Sequence, residues 1–276
     1  MLKIFIVFSF FIVHMHADEP VFVLLTHARA TATAFEKVIR TKENIEVLHA
    51  PFIVPYLLKK YGTNHPLTRP LPDPTVTFGD VTNKLFALAK HFPVFLKESG
   101  YLLVDYFKEH PEFYQNPQVK IVFLVRDPAK SILSFYRRLP TVDESIVGHR
   151  QLWELFELLR EQQIEVPLVI DSDEFLKDPL FILKKLGTHW GIQFDETNLK
   201  WESGYAEDWH LKDWYVDVAT STGLGPFKGD IDRDEDGTPS YLEVADEKDR
   251  RRLQELYRTQ NIYYQKLLQY AIKAQN

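Results

Sequence analysis

Residues 119–135, Val-Lys-Ile-Val-Phe-Leu-Val-Arg-Asp-Pro-Ala-Lys-Ser-Ile-Leu-Ser-Phe, read as a strand, a tight turn and a helix in immediate succession. The apolar run Ile121 to Val125 has the continuity of a strand buried on both faces. It stops at Arg126-Asp127-Pro128, where Asp127 can cap the next helix and Pro128 suits its first turn. Arg126 is therefore expected at the carboxyl end of a buried strand, with Ser134 eight residues on, about two helical turns away. A fixed guanidinium and a hydroxyl so placed suit one phosphate group. The competing reading is a local ion pair between Arg126 and Asp127.

A second stretch has the same shape. Val21 to Leu25 is a near-continuous apolar strand, Thr26 to Thr31 a turn of small and hydroxyl residues, and Ala32 to Arg40 a helix with Phe35, Val38 and Ile39 on one face. Small residues let a backbone approach a ligand, and a helix start offers unpaired N–H groups to an anion. Arg29 and the hydroxyls of Thr31 and Thr33 would complete such a cradle. The Gly-Lys-Ser/Thr ending of a Walker A loop is missing, which disfavours nucleoside triphosphate hydrolysis.

Together the two stretches resemble the sulfotransferase family. Its first loop has the pattern Thr-Tyr-Pro-Lys-Ser-Gly-Thr-Thr-Trp-Leu, and Thr26-His-Ala-Arg-Ala-Thr-Ala-Thr-Ala-Phe35 lies in register with it. Its second signature, a strand ending in Arg with a Ser eight positions later, is matched by Arg126 and Ser134. Val169 to Leu186, followed by Trp190-Gly-Ile, is similar to the family's strand, acidic linker and Asp-Pro helix. Trp214 to Gly223 resembles a segment of the branch whose first loop carries Arg rather than Lys.

The resemblance implies an α/β fold, a parallel sheet flanked by helices of the P-loop NTPase-like sulfotransferase type. It implies 3′-phosphoadenosine 5′-phosphosulfate as donor, with Thr26, His27, Arg29, Ala30, Thr31, Ala32 and Thr33 around the phosphosulfate and Arg126 with Ser134 on the 3′-phosphate. Arg29 would stabilise charge on the leaving phosphate, and His91 is the candidate base for a hydroxyl or amine on a small-molecule, glycan or peptide acceptor. The departures are specific. Arg29 stands where classical members have Lys, Thr31 where they have Gly, and Phe86 to Phe92 lacks the Lys-Asp pair expected ahead of the histidine.

Composition fits one globular domain over residues 18–276: 45% of residues are apolar, 14% aromatic, and no linker-like tract divides the chain. A net charge of −6, with no basic cluster larger than Arg250-Arg251-Arg252 and that one interleaved with acids, argues against a nucleic-acid partner. The chain has no cysteine, so disulfides and thiolate metal sites are excluded. Strands are expected near 21–25, 45–49, 84–89, 119–125 and 166–170, and helices near 31–42, 99–109, 129–138, 146–163, 179–188 and 245–272.

Lys3, the apolar run Ile4 to Val13 and His14-Met-His-Ala17 have the form of a secretory signal peptide cut after Ala17, too short for a transmembrane helix. Export would separate the protein from a donor made in the cytosol. Asp232-Arg-Asp-Glu-Asp-Gly-Thr-Pro-Ser-Tyr-Leu-Glu243 fits a calcium-loop pattern, with Asp232, Asp234, Asp236 and Glu243 as candidate ligands, although Pro239 and the absence of an incoming helix speak against it. The Trp and Tyr residues of 201–215 are candidates for an acceptor pocket or for core, and Arg137 and Arg138 for phosphate contacts or solvent. Two alternatives to transfer stay open: nucleotide binding without turnover, and a calcium-dependent secreted interaction protein of the same fold.

Overall fold

The computed structural model describes residues 18–65, 68, 73–162, 166–209, 212–227 and 229–273. The leader expected at 1–17 lies outside the described residues. The first half of the chain runs β1 (Val21–Thr26), α1 (Ala32–Arg40), β2 (Glu46–His49), α2 (Ile53–Tyr61), α3 (Phe78–Leu88), β3 (Val94–Ser99), α4 (Val104–Glu109) and α5 (Pro111–Gln115). The second half runs β4 (Val119–Val125), α6 (Pro128–Tyr136), α7 (Glu144–Val147), α8 (His149–Glu161), β5 (Leu168–Asp171), α9 (Ser172–Lys177), α10 (Pro179–Trp190), α11 (Val216–Ala219) and α12 (Glu247–Leu268).

The strands form one parallel sheet in the order β2-β3-β1-β4-β5. Alternate residues feed two cores, as the two-residue period of a strand requires. Val23, Leu25, Leu96 and Phe123 pack with α3, α4, α5, α8 and α12 on one face; Phe22, Leu24, Phe95 and Leu124 pack with α1 and α10 on the other. The sheet is thus covered by helices on both faces, as the near-continuous apolar strands require. β1 has β3 on one side and β4 on the other, so the loops leaving β1 and β4 lie side by side at the carboxyl edge, where open α/β sheets bind ligands.

The strand expected at 84–89 is instead part of α3. Thr77 and Asp80 form a capping box at its start, and Val81 and Leu85, four apart, are its buried positions. The strand between β2 and β1 is β3, whose Lys97-Glu98 interrupts the apolar pattern although both residues are buried. The single helix expected over 146–163 is two, α7 and α8, because Gly148 takes a left-handed conformation (φ 79°) between them. Beyond α12, Ile272 donates its N–H to the Val169 carbonyl at 2.9 Å and Ala271 bridges Val169 in parallel, extending the sheet past β5. No helix among the described residues is long and apolar enough to cross a membrane.

Candidate active site

The first loop is built on strained backbone. Arg29 and Thr31 both hold positive φ, 64° and 68°, in the left-handed region where a β-branched residue such as Thr is disfavoured. Its carbonyls are fastened to the body of the protein. The Ser172 hydroxyl donates to the Ala30 carbonyl at 2.6 Å, and Arg126 donates to the Arg29 carbonyl at 3.0 Å. α1 then starts with no side-chain cap and no acidic residue in its first turn. Its leading N–H groups and partial positive charge are left for an anion, with the loop's alternating conformation in front of them.

The second loop comes to the same place. Asp127 caps α6 by accepting from the Ala129 N–H at 2.8 Å, and Pro128 occupies the first turn as the sequence predicts. The Asp127 carboxylate pairs with Arg233 at 2.6 Å, whereas Arg126 turns inward. Arg126 Nε is buried with no partner, and Arg29 Nε donates to the Ser134 hydroxyl at 3.0 Å. Arg29 also donates to the Trp214 carbonyl at 3.1 Å. Arg29, Arg126 and Ser134 are therefore brought together, and Asp127 takes Arg233 as its ion-pair partner. Burial, followed by the charge of Arg138, lowers the pKa of Arg29; burial does the same for Arg126. Both guanidinium groups would gain from an anion. Lys130 is differently placed, held by Asp173 at 2.6 Å and Asp230 at 3.0 Å.

These groups line one cavity of about 1090 Å³, along with Thr26 to Thr33. Its other arm is more apolar, with Ile53, Tyr56 and Leu57 of α2, Tyr101 after β3, and Leu139 and Ile146 near α7. Trp214 and Tyr215 line it too, but Trp209 is buried beside it as core, so the aromatic segment divides between cavity wall and core. Arg137 lines the cavity and is paired with Glu243, while Arg138 is paired with Asp217 at 3.1 Å.

Lys97 enters the cavity from β3 and is a residue that sequence reasoning missed. Lys97 stands next to Glu98 at the carboxyl end of β3, where two adjacent charged residues in an apolar strand are the available signal. Lys97 belongs to a buried cluster around Glu36 of α1. Glu36 accepts from His49 at 2.6 Å, from Arg40 at 2.8 Å and from Trp209 at 2.8 Å, with Lys97 at 4.0 Å. Burial alone would raise the Glu36 carboxyl, but the hydrogen bond and charges of His49, Lys97 and Arg40 outweigh it and hold it at about 2. Glu98 points to the other face of the sheet, where burial pushes its carboxyl up to about 7 despite bonds from the Ser99 and Phe52 N–H groups.

Two expectations fail. His91 is exposed and precedes β3 at the amino-terminal edge of the sheet, whereas the cavity sits at the carboxyl edge, so it cannot act there as a base. The acidic stretch does not form a calcium loop. It folds back as a hairpin in which Arg233 bridges Pro239, Asp234 N–H meets the Thr238 carbonyl at 2.8 Å, and the carboxylates turn to protein donors. Asp234 accepts from Gln254 at 3.2 Å, Asp236 faces Arg258 at 3.6 Å, and Glu243 takes Arg137. No cluster of three or more metal-ligating side chains exists among the described residues. Asp232, Tyr241 and Glu243 are instead part of the cavity wall, which the Tyr241 hydroxyl fastens to the Ala129 carbonyl at 3.2 Å.

The comparisons with known proteins agree with this architecture. The sulfotransferase domain of the olefin synthase of Synechococcus PCC 7002 superimposes with a TM-score of 0.54 at 17% identity, covering 88% of this chain and 96% of that one. The sulfotransferase domain of the curacin biosynthetic pathway covers 90% and 99% at 12% identity, TM-score 0.47. Mouse sulfotransferase SULT7A1, complexed with PAP, covers 92% and 90% at 15% identity, TM-score 0.46. At 17% identity the first of these likenesses shows the fold alone. No curated protein matches the chain. The model of the sulfotransferase domain family matches residues 22–239, well over half of the sequence. With that match laid over the five-stranded sheet and its two converging loops, the chain belongs to the sulfotransferase domain family.

Proposed function

We propose that the domain transfers a sulfuryl group from 3′-phosphoadenosine 5′-phosphosulfate to a hydroxyl or amine acceptor. The observation that carries this reading is the convergence of Arg29, Arg126 and Ser134 beside the uncapped start of α1, with Arg126 Nε buried and unpartnered. An unpaired buried donor is costly unless a ligand takes it. In this reading the 26–33 loop holds the phosphosulfate, and Arg126 with Ser134 holds the 3′-phosphate. The acceptor's lone pair forms the new bond to sulfur as the bond from sulfur to the phosphate oxygen breaks. The electron pair departs on that phosphate, where Arg29 and the N–H groups of α1 offset the developing charge. The acceptor's proton passes to solvent water as the new bond to sulfur forms. The apolar arm lined by α2 and Tyr101 receives the acceptor's body.

Calorimetric titration of adenosine 3′,5′-bisphosphate into the protein, beside Arg126→Ala, tests the donor site. Micromolar binding lost in the variant supports the reading, and no binding to either protein sinks it. Labelled donor with a panel of alcohols, phenols and amines then separates transfer from nucleotide binding without turnover. Export is part of the same proposal: the mature chain is expected to begin at Asp18, which amino-terminal sequencing of the exported protein checks.

A further inference from the structure

His27 leaves β1 and His149 opens α8, and their rings lie against each other, centroids 3.8 Å apart and planes tilted by 37°, both buried. Gly148 permits the approach: its positive φ turns the chain into α8, and a Cβ there would lie 3.4 Å from that of His27. The pair holds one peptide unit on each side of Arg126. The Arg126 N–H donates to His27 Nε2 at 3.0 Å, and His149 Nε2 donates to the Arg126 carbonyl at 2.8 Å.

These partners dictate the protonation of both rings. A peptide N–H can only donate, so His27 Nε2 is bare and His27 carries its hydrogen on Nδ1, given to the Ala28 carbonyl at 3.0 Å. A carbonyl can only accept, so His149 carries its hydrogen on Nε2, and its Nδ1 is buried with no partner. A proton added to His27 would set a donor against the Arg126 N–H. One added to His149 would leave a charge in the interior with nothing to receive it. The surrounding elements do not offset such a charge. Arg126 faces the pair from the β4 turn, where Asp127 is committed to Arg233, and Tyr101 lies beside Gly148. From α12 come Gln260, which accepts from the His149 N–H, and Tyr264, whose hydroxyl engages Asp171 at 2.7 Å. Asp173 of α9 is committed to Lys130. Burial holds His149 at about 4, and burial together with the neighbouring His149 keeps His27 well below its ordinary value.

We propose that His27 and His149 are positioning residues of the donor site: as a packed neutral pair they clamp the Arg126 backbone and so aim its guanidinium at the first loop. The proposal rests on the cavity being the nucleotide site. Without the clamp the Arg126 peptides are free to rotate, and small misplacements of a binding group are expensive.

The test is calorimetric affinity for adenosine 3′,5′-bisphosphate in the full chain and in His27→Phe, His27→Gln, His149→Phe and His149→Gln, with melting curves to certify folding. Phe keeps the ring packing and loses the hydrogen bond, so each Phe variant is expected to bind about tenfold more weakly. A Gln amide can accept at 27 and donate at 149, so each Gln variant is expected within about threefold of wild type. Imidazole ¹⁵N spectra at pH 7 supply a readout independent of any variant: His27 protonated on Nδ1 only, His149 on Nε2 only. Either ring charged at pH 7, or His27 protonated on Nε2, overturns the clamp. Nucleotide binding indifferent to all four substitutions overturns it too, whereas wild-type protein that binds no nucleotide overturns the donor-site reading beneath it.

Discussion

Residues 26–33 and residues 232–243 both read as ligand loops, and both border the same cavity. The acidic stretch fits its motif at every specified position, while the first loop departs from its family pattern at Arg29 and Thr31. Yet the first loop is where Arg29, Arg126 and Ser134 meet, and the acidic stretch closes on itself. A motif specifies which donors are available, whereas the backbone frame decides where they point. The Thr26 loop runs from a buried strand into a helix start, so its N–H groups share one direction. The hairpin at 232–243 has a cross-bridge between Arg233 and Pro239 and no incoming helix, so its carboxylates face outward to Gln254, Arg258 and Arg137.

The largest effect is expected from the frame behind the first loop. Glu36→Gln leaves Arg40, His49 and Trp209 without their shared carboxylate and should destabilise the fold by about 3 kcal/mol, read by denaturant melts. The folded pKa of about 2 lies below the ordinary 4.5, so this contribution is full above pH 4.5 and fades as pH falls through about 2. The gap between wild type and variant should narrow over that same interval. A constant gap would mean that packing, not charge, holds α1.

Next, Arg126→Ala should weaken adenosine 3′,5′-bisphosphate by about 100-fold, whereas Asp236→Ala should leave it within about twofold. Equal losses would erase the distinction between the two loops. Thr31→Gly relieves a left-handed β-branched residue and should add about 1 kcal/mol of stability, read as a higher Tm. An unchanged or lower Tm would show that Thr31 contributes contacts that exceed its strain. The smallest effect belongs to the hairpin: millimolar calcium should shift Tm by under about 1 °C, and a larger calcium-specific rise would reinstate the cation reading.

Local chemistry made much of this legible. The strand, Asp-Pro turn and helix at 119–135 are specified by adjacent residues, and so is the small-residue turn after β1. β3 was hidden because Lys97 and Glu98 look like surface letters, and only the Glu36 cluster on one face and the Phe52 and Ser99 N–H groups on the other explain their burial. The helix at Phe78–Leu88 carries an apolar end that imitates a strand, and its capping box was the better signal. His91 has no local signal for its place: it lies in the exposed turn between α3 and β3, at the end of the sheet away from the cavity. The contact between His27 and His149 has no local signature, since it depends on the way α8 is laid across the end of the sheet.

The short bridge from Ala271 and Ile272 to Val169 has a consequence for behaviour in crowded solution. β5 is an outer strand, and a bare outer strand offers a template on which another chain can pair and propagate aggregates. With the Val169 carbonyl already receiving the Ile272 N–H, that template is interrupted at its middle. The segment just after α12 serves as an internal guard against edge-to-edge association on the side of the sheet farthest from β2.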